Sequence, residues 1–129
     1  AGMKMALGAK EAFFRGILCN WLVCLAVWIA SRNSDETAKL IMIFWCLFAF
    51  IGSGYEHSIA NQSLMSLALM LPHGQEVSLA GFFYNQIFVT TGNMVGGGVM
   101  VGMAYVFVSQ NRLSSNAPWQ KLQPVKQKE

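Results

Sequence analysis

The stretch GSGYEHSIANQ, residues 52–62, interrupts an otherwise apolar run. LIMIFWCLFAFI, residues 40–51, precedes it without a charge, and SLMSLALML, residues 63–71, follows it. At 1.5 Å per residue, residues 40–51 span about 18 Å, short of the ~30 Å hydrocarbon core of a bilayer. Residues 58–71 are too short as well. Two half-length apolar pieces around a Gly- and Ser-rich polar break predict one membrane-spanning helix, residues 38–71, broken near 52–57. Irregular backbone at membrane depth is tolerated only where it is buried in protein or lines a cavity. Ionisable groups there are expensive and face an interior or a water-filled path, which is the expectation for Glu56 and His57. The alternative is that the helix ends and the pair sits in an external loop. The apolar piece that resumes at Ile59 speaks against it.

Composition points the same way. The chain has 129 residues, of which 54% are hydrophobic and 12% charged, with nine Phe, four Trp and a mean hydropathy of +0.42. Soluble domains carry about 25% charged residues. A soluble domain this small has no room to hide so much apolar surface, so a lipid solvent is expected. The net charge of +3 is too small and scattered for a nucleic-acid partner. Cys19, Cys24 and Cys46 all lie in apolar runs without CxxC spacing. They therefore read as small buried hydrophobes rather than a disulfide framework or a zinc site. The start, AGMKMALG, has neither an initiator Met nor the pattern of a signal peptide, and reads as a chain entered partway through.

GILCNWLVCLAVWIA, residues 16–30, extended backward to Ala12, forms a first span over 12–30 with Asn20 as its one strongly polar interior residue. SRNSDETAK, residues 31–39, is a polar connector with helix-starting residues Ser34, Asp35 and Thr37. Pro72 ends the second piece. GFFYNQIFVTTGNMVGGGVMVGMAYVFVS, residues 81–109, forms a third span. Its Gly92/Gly96 and Gly98/Gly102 pairs are GxxxG spacings, which allow close approach of another helix in a membrane. From Gln110 onward the chain reads as a solvated cytoplasmic tail. The fold class is thus an all-α membrane protein of three spans with a broken middle helix. Arg32 and Lys39 in the connector and the Lys and Arg of the tail place both on the cytoplasmic side, and with them the C-terminus. Lys4, Lys10 and Arg15 then fall on the outside, against the charge rule.

Histidine can donate, accept or carry a proton near neutral pH. A neutral imidazole N–H at the centre of a path stabilises an anion without a fixed charge that would trap it. Glu56 either orients His57 or anchors the loop backbone. Asn20 and Asn61 serve as uncharged partners or as helix-packing hydrogen bonds. Haem ligation by a histidine pair would need His73, which follows Pro72 in a polar loop. No metal, cofactor, nucleophilic or phosphate-binding pattern is present, so an enzyme is not expected.

RGILCNWLVCLAVW (15–28), SGYEHSIAN (53–61) and TGNMVGGG (91–98), in this order, resemble the formate/nitrite transporter family, most closely its nitrite-transporting branch. The resemblance implies a homopentamer in the plasma (inner) membrane with one pore per protomer. Each protomer has an aquaporin-like shape of six spans in two inverted repeats. This chain corresponds to the second repeat, so an N-terminal half is needed to complete the pore, and the chain reads as a fragment, a split partner or a truncated product. The resemblance places His57 on the conduction path, Lys4 at its external entrance and Phe50 at a constriction. The expected function is passage of a small monovalent weak-acid anion, nitrite or formate, across the membrane, assisted by His57. The rivals are a non-conducting structural or assembly subunit and a membrane redox subunit.

Overall fold

The computed structural model describes residues 1–115, with side chains to residue 110. A short helix α1 (Gly2–Met5) leads into α2 (Ala9–Arg32), α3 (Glu36–Gly52), α4 (Ser58–Met70) and α5 (Leu79–Met94). From α5 the chain continues through a wider, π-type helical stretch (Val95–Met103) into α6 (Ala104–Ser115). Two helical stretches, Ala9–Arg32 and Leu79–Gln110, are long and apolar enough to cross a membrane. Segments α3 and α4, with 17 and 13 residues, reach only about 25 Å and 20 Å at 1.5 Å per residue.

The boundaries follow from local chemistry. The Asp35 carboxylate accepts the Thr37 and Ala38 N–H groups at 2.8 and 3.1 Å and so caps the start of α3. Its C-terminus closes in a Schellman turn: the Tyr55 N–H reaches the Phe50 carbonyl at 3.1 Å and the Gly54 N–H the Ile51 carbonyl at 3.0 Å. Gly54 takes the left-handed position with φ +67°, the one positive φ among the described residues. Leu71, extended at φ −93° and ψ 160°, ends α4, as a residue preceding a proline must. Helix α6 runs to Ser115, so the first residues of the expected tail, 110–115, continue the helix. Gln110, Asn111, Arg112, Leu113, Ser114 and Ser115 contain no helix breaker, and extending an existing helix costs far less than starting one. The rest of the expected cytoplasmic tail lies outside the described residues.

Helices α2 and α5 pack side by side in the same direction. Phe13 faces Gly92, Ile17 faces Gly96 and Asn20 faces Gly97, so both residue numbers rise together along the contact. Two parallel helices joined through α3 and α4 require that connection to carry the chain back. The approach is backbone to backbone: a Cβ on Gly92 would overlap the Phe13 carbonyl oxygen, and one on Gly96 the Ile17 carbonyl oxygen. Gly98 and Gly102 are differently placed. A Cβ on Gly98 would meet nothing within 4 Å, and one on Gly102 would lie 3.5 Å from the carbonyl of its own helix at Gly97.

The interior is small and polar for its size. Among the described residues the buried apolar set is Met5, Ala12, Cys19, Ala26, Met65 and Val89, alongside buried Glu56, Asn61, Asn85 and Asn93. Cys24 and Cys46 are half-buried, and none of the three cysteines is paired. Large apolar side chains point outward, among them Phe44, Trp45 and Phe48 on α3 and Val106 and Phe107 on α6. A soluble domain inverts this arrangement.

Gly96→Leu is expected to cost at least the ~1–3 kcal/mol of core overpacking and to remove most of the monodisperse protein from size-exclusion chromatography in detergent. Gly98→Ala should leave the profile unchanged. Equal behaviour of the two variants would contradict the packing of α2 on α5.

Candidate functional site

The five residues from Ser53 to His57 separate α3 from α4, and side chains from four helices converge on them. Glu56, 2% exposed, is the centre. One of its carboxylate oxygens pairs with the Lys4 ammonium at 2.7 Å. The other accepts a short bond from the Asn61 amide. That same amide nitrogen also donates to the Asn85 Oδ1 at 3.0 Å, and the Asn85 Nδ2 donates to the Lys4 carbonyl at 2.7 Å. The four residues form a closed ring that joins α1, the break, α4 and α5. An isolated buried carboxylate is strongly disfavoured. Here each of its oxygens has a partner, and among the described residues no buried side-chain nitrogen or oxygen lacks one.

A second set of bonds holds the backbone of the break. The Asn93 Nδ2 donates to the carbonyls of Gly16 at 2.8 Å and Glu56 at 3.0 Å, while its Oδ1 accepts the Ser58 N–H at 3.0 Å. Asn20 donates to the Asn93 carbonyl at 2.6 Å, and Gln86 to the Ser58 carbonyl at 3.1 Å. Arg15 contributes from α2: its guanidinium donates to the Gly54 carbonyl at 3.2 Å and pairs with Glu11 at 2.6 Å.

His57 begins α4. Its Nδ1 accepts the Ala60 N–H at 3.5 Å, a weak capping contact. With Nδ1 accepting, the neutral ring carries its proton on Nε2, and no partner for Nε2 lies among the described residues. The His57 ring stands 6.1 Å from that of Phe50, centroid to centroid. Lys4, Phe50, Tyr55, His57, Asn61 and Leu64 line a groove of about 330 Å³.

The sequence-derived residues therefore divide. Lys4, Phe50, His57 and Asn61 share one groove, with Glu56 beneath it on Lys4 and Asn61. Asn20 is elsewhere, bonded to Asn93 on the α2–α5 seam, where Gly92 and Gly96 also lie, whereas Gly98 lines an apolar groove with Gly102, Met103 and Phe107. Lys4 lines the groove and is at the same time the ion-pair partner of Glu56. Asn85 and Asn93 join the site as residues the sequence reading does not single out, although each carries the signal that marks Asn20, an amide inside an apolar run. His73 is exposed, with Nδ1 3.2 Å from the Gly74 carbonyl oxygen. Among the described residues no three His, Cys, Asp or Glu converge as metal ligands do.

Comparison with known proteins gives a consistent result. The family described as formate/nitrite transporter matches residues 1–107. A nitrite transporter, NirC, of Escherichia coli is 48% identical over 106 residues, covering 82% of this chain and 39% of the relative. A probable formate transporter of Methanothermobacter thermautotrophicus is 41% identical over 96 residues, covering 74% of this chain and 34% of the relative. A solved structure of an FNT family ion channel is 47% identical with a TM-score of 0.79, covering 83% of this chain and 43% of that one. The chain thus spans less than half the length of these relatives.

Glu56→Leu strands Lys4 and Asn61 without their acceptor. Loss of one partner from a buried pair costs about 3–5 kcal/mol, and the lower end applies because the Lys4 side chain is 30% exposed. Glu56→Gln keeps an acceptor and should lose less. Thermal unfolding midpoints in detergent should fall in the order wild type, Gln, Leu, and an unshifted Leu variant would refute the ring's role.

Proposed function

Because the chain belongs to the formate/nitrite transporter family, we propose that it forms one half of a membrane channel for small monovalent weak-acid anions, nitrite or formate. In this reading α2, the broken α3–α4 pair and α5–α6 are three spans. They make up the second of two inverted repeats in an aquaporin-like protomer, and the other half closes the open side of the groove. Protomers assemble as a homopentamer in the inner membrane with the C-terminus in the cytoplasm. The parallel run of α2 and α5 supports an odd number of crossings, and the outward-facing apolar residues support a lipid or protein covering.

The observation that carries the reading is the placement of His57. It sits at a helix break, on a groove shared with Lys4 and Phe50, and beside a fixed charge pair. The anion arrives at an entrance where Lys4 attracts it while Glu56 cancels much of that attraction. Phe50 narrows and dries the path, which disfavours bare and hydrated ions. Desolvation favours the neutral form of a weak acid. Neutral His57 stabilises the anion with a hydrogen bond, and His57 that has taken a proton from the water at the path's entrance hands it to the anion, which then crosses as the neutral acid while the imidazole returns to its neutral form. No covalent step is involved.

Uptake of formate and nitrite into proteoliposomes containing an internal pH dye tests this for the complete channel. His57→Phe removes the donor and is expected to abolish uptake. His57→Asn retains an amide donor and should keep part of the uptake while losing accompanying proton movement. Lys4→Ala should raise the half-saturating concentration about tenfold, equivalent to one interaction of ~1.4 kcal/mol. Unchanged uptake and unchanged proton movement in His57→Phe would make His57 a helix cap and remove it from the path.

A further inference from the structure

Arg15 lies on α2, between the Glu11 carboxylate and the break that carries His57. We propose that Arg15 is the positioning residue of that break, holding Tyr55 and His57 at the correct height along the path without touching the anion itself. The inference rests on the channel reading above.

Three observations converge on this residue. First, residue 15 meets the break at two points, one through its side chain and one through a main-chain carbonyl that every substitution keeps. Its guanidinium Nη1 donates to the Gly54 carbonyl at 3.2 Å, and its own backbone carbonyl faces the Glu56 N–H at 3.4 Å. The two points bracket Tyr55, which lines the groove with His57. Second, the grip falls where the local chain is least self-sufficient. The Schellman turn uses the N–H groups of Gly54 and Tyr55 to close α3, so the Gly54 carbonyl beyond it is left for an outside donor. A cation at this place also meets the negative end of the α3 dipole. Third, the guanidinium is itself held: Nη2 pairs with Glu11 Oε1 at 2.6 Å, one turn earlier on α2. One planar fork thus binds a helix on one side and a loop on the other, an arrangement that arginine can make and lysine cannot fully reproduce.

The groove-lining residues do not include Arg15, which separates its role from that of Lys4. Lys4 acts on anion entry. Arg15 acts on how the break presents its residues, hence on the rate of passage once the anion has arrived. It also accounts for a cation that the charge rule leaves unexplained: Arg15 is spent on the Gly54 carbonyl and on Glu11.

Concentration-dependent anion uptake by the complete channel in proteoliposomes tests the proposal with Arg15→Met, which keeps the stem and loses the donors, and Arg15→Lys, which keeps one donor. Maximal uptake should fall about tenfold in the Met variant while the half-saturating concentration stays within twofold of wild type. The Lys variant should recover to within about threefold of wild-type maximal uptake. Wild-type maximal uptake in an assembled Arg15→Met channel overturns the proposal. A changed half-saturating concentration at unchanged maximal uptake also overturns it, because Arg15 would then be an anion-capture residue. Failure of both variants to assemble counts against it too, since lysine preserves the charge and the stem. A wild-type channel with no uptake above empty liposomes rejects the channel reading and this proposal together, whereas normal wild-type uptake with indifferent Arg15 variants rejects this proposal alone.

Discussion

The buried Glu56 carboxylate is the interaction on which the rest of the structure depends. In water, helices associate because apolar faces leave the solvent. Between apolar helices in an apolar solvent that drive vanishes, and close packing and hydrogen bonds take over. Glu56 supplies the hydrogen bonds where they matter most. It brings Lys4 from the start of the chain, Asn61 from α4 and, through Asn61, Asn85 from α5. The same ring fixes α1, because Asn85 also binds the Lys4 carbonyl. The charge pair thus ties the four-residue α1 to the break, whose backbone Asn93 and Arg15 hold from the other side.

Close packing is supplied by the glycines of the α2–α5 seam. Gly92 and Gly96 place one backbone against the carbonyls of Phe13 and Ile17. That proximity lets Asn93 reach Gly16 and Glu56 at once. The polar anchor and the glycine seam are therefore one device: a bulkier seam would push Asn93 away from the break. From Val95 to Met103 the helix widens into π-type turns, with Gly96 inside the widened stretch. Gly96, Gly97 and Gly98 are the three successive positions there without a Cβ, and the face set by Gly92 and Gly96 is not continued by Gly98 and Gly102.

These features differ in how far the sequence discloses them. The break was legible because it rests on arithmetic: neither apolar piece is long enough to span, and the residues between them are glycine, serine and charge. That Gly54 rather than Gly52 takes the left-handed position that closes α3 was not legible, since either glycine could adopt it. The resemblance singles out Phe50 and His57 separately, as constriction and path residues, and the two line one groove. The pairing of Lys4 with Glu56 joins residues 52 positions apart, and no local pattern announces it. The unexplained external cations were the available clue. Lys4 and Arg15, both set against the charge rule, each have a partner at the break. Asn85 and Asn93 were readable by the criterion applied to Asn20, but amides in apolar runs do not disclose which way they face.

The charge pair also constrains what the groove can do. A lone ammonium in a low-dielectric setting would hold an anion too strongly for passage, because interaction energies rise as the effective dielectric falls. A lone carboxylate would repel it. With the two in contact, the groove presents a dipole instead of a net charge: Lys4, 30% exposed, faces the groove, and Glu56, 2% exposed, lies behind it. A dipole attracts an anion at short range and releases it at modest cost. In the proposed channel the remaining stabilisation must then come from a group that can alternate between neutral and charged, and on this groove that group is His57. In that proposal the ring and the histidine divide the work, one setting a weak and fixed attraction, the other responding to the proton that travels with a weak acid.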